Sequence, residues 1–298
     1  MSNKVGLQIC YWWGTKIGDD LDSIIDFTAK VGADYIEINP SAVFHLSKQE
    51  RADLKKRIQD KGLGVTVNGA LMGPERNLCS PDPAVVKAGL ERWREINELC
   101  VDLGAGIWSG IIQGIWNTRP DITKLEDDIK IRRKRGLAGV KEAVKISAEY
   151  DVLCCLEAVN RFEFFFLNTA ADGVEFCREV DSPHCKLLLD TYHMNIEEDY
   201  TPDAIIYAQK NNMMGCLHCG ESNRRVPKGG KTNIDWKAIG GAIKQSGYAG
   251  PLILEPFEFR TSKNAGSICT WQNRNDPEDL NSVAESAKQG IRFIKSIV

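Results

Sequence analysis

Eight times along the 298 residues a short apolar run is followed by a longer stretch with the apolar spacing of an amphipathic helix. This alternation limits the fold more than any single motif. The first four runs are Gly6-Leu-Gln-Ile-Cys10, Ala33-Asp-Tyr-Ile-Glu-Ile38, Gly64-Val-Thr-Val-Asn68 and Ala105-Gly-Ile-Trp-Ser109. The second four are Val152-Leu-Cys-Cys-Leu156, Lys186-Leu-Leu-Leu189, Met213-Met-Gly-Cys-Leu217 and Pro251-Leu-Ile-Leu254. Helical patterns occupy 19–31, 47–61, 82–103, 124–150, 169–180, 202–211, 235–246 and 279–297. Continuous rather than alternating apolar runs belong to strands covered on both faces, the condition of a parallel sheet. Strict alternation over eight repeats at this length predicts an α/β fold, a single (β/α)8 barrel over 1–298. No Pro- or Gly-rich tract marks a domain boundary.

Each of the last four runs leads into a side chain that carries chemistry: Glu157, Asp190, His218 and Glu255. The C-terminal strand ends of a parallel barrel gather at one mouth, where active sites are built. One acidic residue after a strand is ordinarily a helix cap or a solvated loop charge. Three carboxylates gathered with an imidazole repel one another unless a cation sits among them. With three oxygen donors, one nitrogen and no thiolate, the set favours manganese, magnesium or cobalt over a structural zinc. One divalent ion per chain is the expectation.

Composition removes other classes. A net charge of −3 and a pI near 5.9 give no general attraction to nucleic acid or to an anionic membrane. No apolar stretch approaches the length of a membrane span, and Met1-Ser-Asn-Lys-Val5 lacks the apolar core of a signal peptide, so a cytoplasmic location is expected. Ten cysteines without paired spacing read as small buried hydrophobes. Cys216-Leu-His-Cys219 has the look of a metal knuckle. On a strand, however, Cys216 and His218 share a face while Cys219 points away. The basic run Lys130-Ile-Arg-Arg-Lys-Arg135 follows Glu126-Asp-Asp128 at helical spacing, which predicts Glu126–Lys130 and Asp128–Arg132 pairs on a solvated helix face.

Around the quartet the chain resembles the ketose 3-epimerases, the family of D-tagatose, D-allulose (psicose) and L-ribulose 3-epimerases within the xylose-isomerase-like TIM barrels. The segments that carry the resemblance are Glu157-Ala-Val-Asn-Arg-Phe-Glu163, Leu189-Asp-Thr-Tyr-His-Met-Asn-Ile-Glu-Glu198, Leu217-His-Cys-Gly-Glu-Ser-Asn-Arg224 and Leu254-Glu-Pro-Phe257, with Asn77-Leu-Cys-Ser-Pro-Asp-Pro83 in support. The resemblance implies that Glu157, Asp190, His218 and Glu255 hold the ion, with Mn2+ favoured and Co2+ or Mg2+ as alternatives. It further implies that Glu157 and Glu255 are the catalytic pair, that Glu163, His193 and Arg224 contact the sugar, and that Trp116 stands at the mouth. Two positions depart from the family. Gln8 replaces a tyrosine, and Val67-Asn-Gly-Ala70 replaces a glycine–histidine–glycine. Gln8 and Asn68 are therefore expected to line the pocket for the far end of the sugar, setting substrate choice and leaving the chemistry untouched. A homodimer or homotetramer is implied as well.

The expected reaction is inversion at C3 of a free ketose, a ketohexose or a ketopentose, by deprotonation and reprotonation through a cis-enediolate. The ion polarises the C2 carbonyl, and two carboxylates on opposite faces act as base and acid. An aldose–ketose or hydroxypyruvate-type 1,2-isomerase is the alternative on the same metal barrel. A multi-metal phosphodiesterase fits poorly with four histidines and an acidic pI. A non-catalytic sugar-binding barrel has no need of two acid–base groups. Of Trp12 and Trp13, one is expected to wall the pocket and the other to pack outside it. The irregular stretch 258–277 is expected to fold over the mouth, bringing Arg260, Trp271 and Arg274 within reach of substrate.

Overall fold

The computed structural model describes residues 3–69 and 72–298. Eight strands close into a barrel in chain order, with every neighbouring pair parallel: β1 Val5–Gln8, β2 Tyr35–Ile38, β3 Gly64–Asn68, β4 Ile107–Gly110, β5 Leu153–Ala158, β6 Cys185–Asp190, β7 Met214–Cys219 and β8 Leu252–Leu254. The helices are α1 Leu21–Lys30, α2 Lys48–Asp60, α3 Pro83–Leu103, α4 Leu125–Glu149, α5 Ala170–Val180, α6 Thr191–Glu197, α7 Thr201–Lys210, α8 Trp236–Ser246 and α9 Leu280–Ile297. Local chemistry fixes their starts. The Asp20 carboxylate caps α1, Ser47 and Glu50 form a reciprocal capping box at α2, and Thr169 and Asp172 do the same at α5.

Eight of these helices coincide with the periodic stretches of the sequence to within two residues at either end. The exception, α6, is too short for a 3.6-residue period to show. It leaves β6 without a loop because Asp190 is its N-cap: Oδ1 accepts from the Tyr192 amide at 2.9 Å. The first strand is shorter than the run that announced it, since a 3₁₀ turn begins at Ile9.

Inside the barrel, side chains two residues apart on a strand face the same way. The floor is a dry cluster of Cys155, Leu188, Cys216 and Ile253, against which Tyr35, Ile107 and Leu153 pack. Two residues further along the same strands stand Glu157, Asp190, His218, Glu255, Glu37 and Ser109, all buried. The lumen thus changes from apolar to polar within one step of these six strands.

On β7 that step depends on an extra residue. Leu187 pairs with Met214, but Leu188 pairs with Cys216, so Gly215 is a bulge. The shifted register sets Asp190 opposite His218; the unshifted count would set Leu217 there. Gly215 must lack a side chain, because a Cβ there would lie 2.4 Å from Cys155 Sγ.

Nine cysteines are buried and one, Cys269, is exposed, and all ten are free thiols. Arg132 pairs with Asp128 at 3.0 Å as expected, whereas no Glu126–Lys130 ion pair occurs among the described residues. Arg133 instead reaches Glu179 on α5. No helix among the described residues is long and apolar enough to cross a membrane.

Candidate metal centre and active site

Glu157 on β5, Asp190 ending β6, His218 on β7 and Glu255 just past β8 each bring one donor atom to a common point. These atoms all lie within 4.8 Å of one another. Two features test whether the set suits a divalent ion. Asp190 Oδ2 and both ring nitrogens of His218 are buried without a hydrogen-bond partner, and such orphaned atoms are rare in the absence of something for them to bind. The donors are three carboxylates and one imidazole, a set that suits a hard or borderline ion. The residues fit. His218 presents Nδ1 to Glu255 (3.4 Å) and turns Nε2 towards Glu37 (3.1 Å).

Crowding shapes the ionisation of the set. Burial, reinforced by the charge of Glu255, holds the Glu157 carboxyl well above the usual range. The same causes push Asp190 up to about 6. Burial would raise Glu255 too, but His218 and Arg224 outweigh it and leave this carboxylate below the ordinary value. The asymmetry has a visible origin. Glu255 receives hydrogen bonds from Gln8 Nε2 (2.5 Å) and Arg224 Nη1 (3.3 Å). The nearest cationic or imidazole nitrogen to the Glu157 carboxylate is His193 Nε2, at 3.6 Å.

His193 sits on α6, one turn beyond Asp190. The Asn160 amide donates to its Nδ1 at 3.2 Å, so the ring proton is on Nε2, which faces Glu157 and Arg224. Burial and the neighbouring Arg224 push the imidazole well below its ordinary value, keeping it neutral. A neutral Nε2–H aimed into the cavity is a donor for a substrate oxygen. Arg224 occupies a left-handed backbone position (φ 60°), a costly conformation for a non-glycine residue. Its guanidinium lies 3.9 Å from the Tyr192 ring centroid and 5.0 Å from that of Phe257. From there it pairs with Glu163 at 3.0 Å and Glu255 at 3.3 Å. Glu163 is no surface partner of Arg161, which pairs with Glu197. It accepts from Trp116 Nε1 at 2.8 Å and from Asn160 at 3.2 Å.

Glu157, Glu255, Glu163, His193, Arg224 and Trp116 line a cavity of about 590 Å³, with Asp190 and His218 behind its wall. Trp13 lines it, while Trp12 is fully buried outside, its indole donating to Thr28 at 3.0 Å. The stretch after β8 does reach the mouth, but through other residues than expected. Lys263, Asn264, Ser267 and Ile268 line the cavity, whereas Arg260, Trp271 and Arg274 are exposed and do not. Nothing in the polar spacing of that loop distinguishes the two sets.

Gln8 and Asn68 line the cavity as expected, yet Gln8 is not remote from the chemistry. Its amide nitrogen meets Glu255, Glu37 (3.3 Å) and Asn68 (3.3 Å), so the expectation that this position leaves the reacting groups untouched is corrected. Its Oε1 is buried with no partner. Gly69 is part of the wall, and Ala70 lies outside the described residues. Glu37 was missed. In Tyr35-Ile-Glu-Ile38 it reads as the polar phase of a strand, and only barrel closure brings it under His218.

Residues 25–297 match the xylose isomerase-like TIM barrel family. A D-psicose 3-epimerase of Agrobacterium fabrum is 33% identical over 99% of both chains. An L-ribulose 3-epimerase of Methylomonas sp. is 31% identical over 98% of this chain and 96% of that one. The crystal structure of a D-psicose 3-epimerase with D-tagatose from Clostridium cellulolyticum H10 superposes with a TM-score of 0.89 at 32% identity, covering 99% of both chains. With its barrel, its carboxylate–histidine quartet and these relatives, the chain belongs to the ketose 3-epimerase family of xylose isomerase-like TIM barrels.

Proposed function

We propose that this enzyme inverts C3 of a free ketose, using Glu157 and Glu255 as the proton-transfer pair and one divalent ion, Mn2+ before Co2+ or Mg2+, held by Glu157, Asp190, His218 and Glu255. The observation that carries the reading is the convergence of the four buried donors, two of which, Glu157 and Glu255, line a cavity together with three further polar groups, Glu163, His193 and Arg224. When bound, the ion polarises the ketose carbonyl and makes the neighbouring C3 proton acidic enough for a carboxylate to remove. One of the two glutamates takes that proton and the other delivers one to the opposite face, their roles exchanging with the direction of reaction. His193 Nε2–H and the Arg224 guanidinium supply donors for the reacting oxygens. Glu163, bridging Trp116 and Arg224, keeps the guanidinium in place.

Incubation with ketopentoses and ketohexoses in heavy water tests the carbon. Deuterium is expected at C3 of the product ketose, since the proton passes through a carboxylate that exchanges with solvent. An aldose as the main product would make the enzyme a 1,2-isomerase instead.

Substrate preference is proposed to reside at Gln8 and Asn68. The orphaned Gln8 Oε1 is an acceptor that one particular sugar hydroxyl can satisfy. A site built to pair a hydroxyl discriminates against sugars lacking it more sharply than an apolar wall does. Gln8→Tyr should therefore change the ratio of kcat/KM between ketohexoses and ketopentoses. It should also lower kcat for all of them, because Glu255 loses its Gln8 donor. Equal ratios across D-allulose, D-fructose, D-tagatose and L-ribulose would move specificity to the loop after β8.

A further inference from the structure

Glu37 is fully buried on β2, one layer of side chains from the cavity wall, and no Lys or Arg pairs with it among the described residues. A carboxylate in such a place is costly unless it is paired and hydrogen-bonded. Its partners are few and specific. Thr66 Oγ1 donates to Oε1 at 3.1 Å and Gln8 Nε2 to Oε2 at 3.3 Å, and His218 Nε2 lies 3.1 Å from Oε2, a close charge contact that is not aligned as a hydrogen bond. The imidazole is thus the one potential cation at its side. The same ring turns its other nitrogen, Nδ1, towards Glu255 and the point where the quartet converges.

We propose that Glu37 is a positioning residue for the metal-binding imidazole: it holds the proton of His218 on Nε2, leaving the Nδ1 lone pair for the ion. Ring nitrogens that bind metals are commonly oriented in this way, by a carboxylate that takes the proton of the other nitrogen. The arrangement extends further here, because Gln8 Nε2 meets both Glu37 Oε2 and Glu255 Oε1. One amide therefore joins the positioning carboxylate to a catalytic one, and Thr66 fixes the far oxygen of Glu37. Glu37, Cys216 and His218 also bring donor atoms within 4.8 Å of one another, which is compatible with a second ion below the first. The three lie fully buried beneath the cavity wall, and both Glu37 oxygens already have partners. The cluster is a hydrogen-bonding support rather than a second centre.

The proposal rests on reading the quartet as a metal site, so the test separates the two. Mn2+ is titrated into the metal-free full-length protein without sugar, for wild type, Glu37→Gln and Thr66→Val. Glu37→Gln is expected to weaken Mn2+ binding about 10–100-fold, and Thr66→Val to weaken it less. In ¹⁵N-histidine-labelled protein, metal-free and Mg2+-loaded, the His218 Nε2 proton resonance is expected in wild type and shifted in Glu37→Gln. A wild-type chain that binds no divalent ion would overturn the metal reading, while the Nε2 resonance would still report on Glu37. Unchanged Mn2+ affinity, an unchanged Nε2 resonance, or two Mn2+ per wild-type chain would each overturn the positioning role. Should Glu37→Gln fail to fold, unchanged affinity and resonance in Thr66→Val would do the same.

Discussion

Glu157→Gln and Glu255→Gln are each expected to lower turnover by about 10²–10⁴-fold, the usual contribution of a positioned acid or base, with the fold retained. An amide cannot take up the C3 proton, although its oxygen can still lie beside an ion, so metal content is to be measured with the rate. The two variants should differ in their secondary effects. Glu255 accepts from Gln8 and Arg224, and its replacement disturbs both donors. Glu157 has no such donors, only the more distant His193. Glu157→Gln should therefore leave the rest of the site more nearly as it is. A residual rate above about a tenth of wild type, in a variant that keeps its ion, would remove that residue from the proton-transfer pair.

Removal of the ion should have the second large effect. Dialysis against a chelator is expected to abolish epimerisation, and Mn2+ or Co2+ should restore it at one equivalent per chain. The stability of the protein should change in parallel. Without a cation, burial and mutual repulsion keep Glu157 and Asp190 above their usual values, so the native state is strained whenever they ionise. A ligand that binds only the folded state at a hundred times its Kd adds about 2.7 kcal/mol, which raises Tm by several degrees. Protons compete for the same oxygens, so Mn2+ affinity should fall as pH drops through about 6, where Asp190 takes up its proton. Full activity in protein verified to be metal-free would refute the dependence.

The quartet was legible in the sequence because each member follows an apolar run long enough to be recognised as a buried strand. Strand ends in a parallel barrel share a mouth, so chain order alone gathers them. Residues that depend on closure were not legible. Glu37 is five strands from His218 in the chain, and its polar phase in a short strand is unremarkable until the barrel brings the two together. The choice between Trp12 and Trp13 turned on a one-residue phase at the end of a 3₁₀ turn. In the loop after β8, local turns rather than any period decide which side chains face inward. Lys263 and Asn264 line the cavity, and Arg260 and Trp271 do not.

The bulge at Gly215 has an implication for how such sites arise and are lost. Four of the side chains at the centre are fixed by residue identity, but the placement of one also depends on how its strand pairs. Were β7 to pair without the bulge, with Gly215 drawn into the ladder opposite Leu188, every letter of Leu217-His-Cys-Gly-Glu would stay in place and the leucine would still meet the neighbouring aspartate, with the imidazole turned to the outer shell of helices. The bulge therefore makes or breaks the complete set of donors with no change in the residues that carry them. Among relatives, room for a bulged residue without a side chain at this point of β7 therefore carries as much information about the ability to hold an ion as the histidine itself.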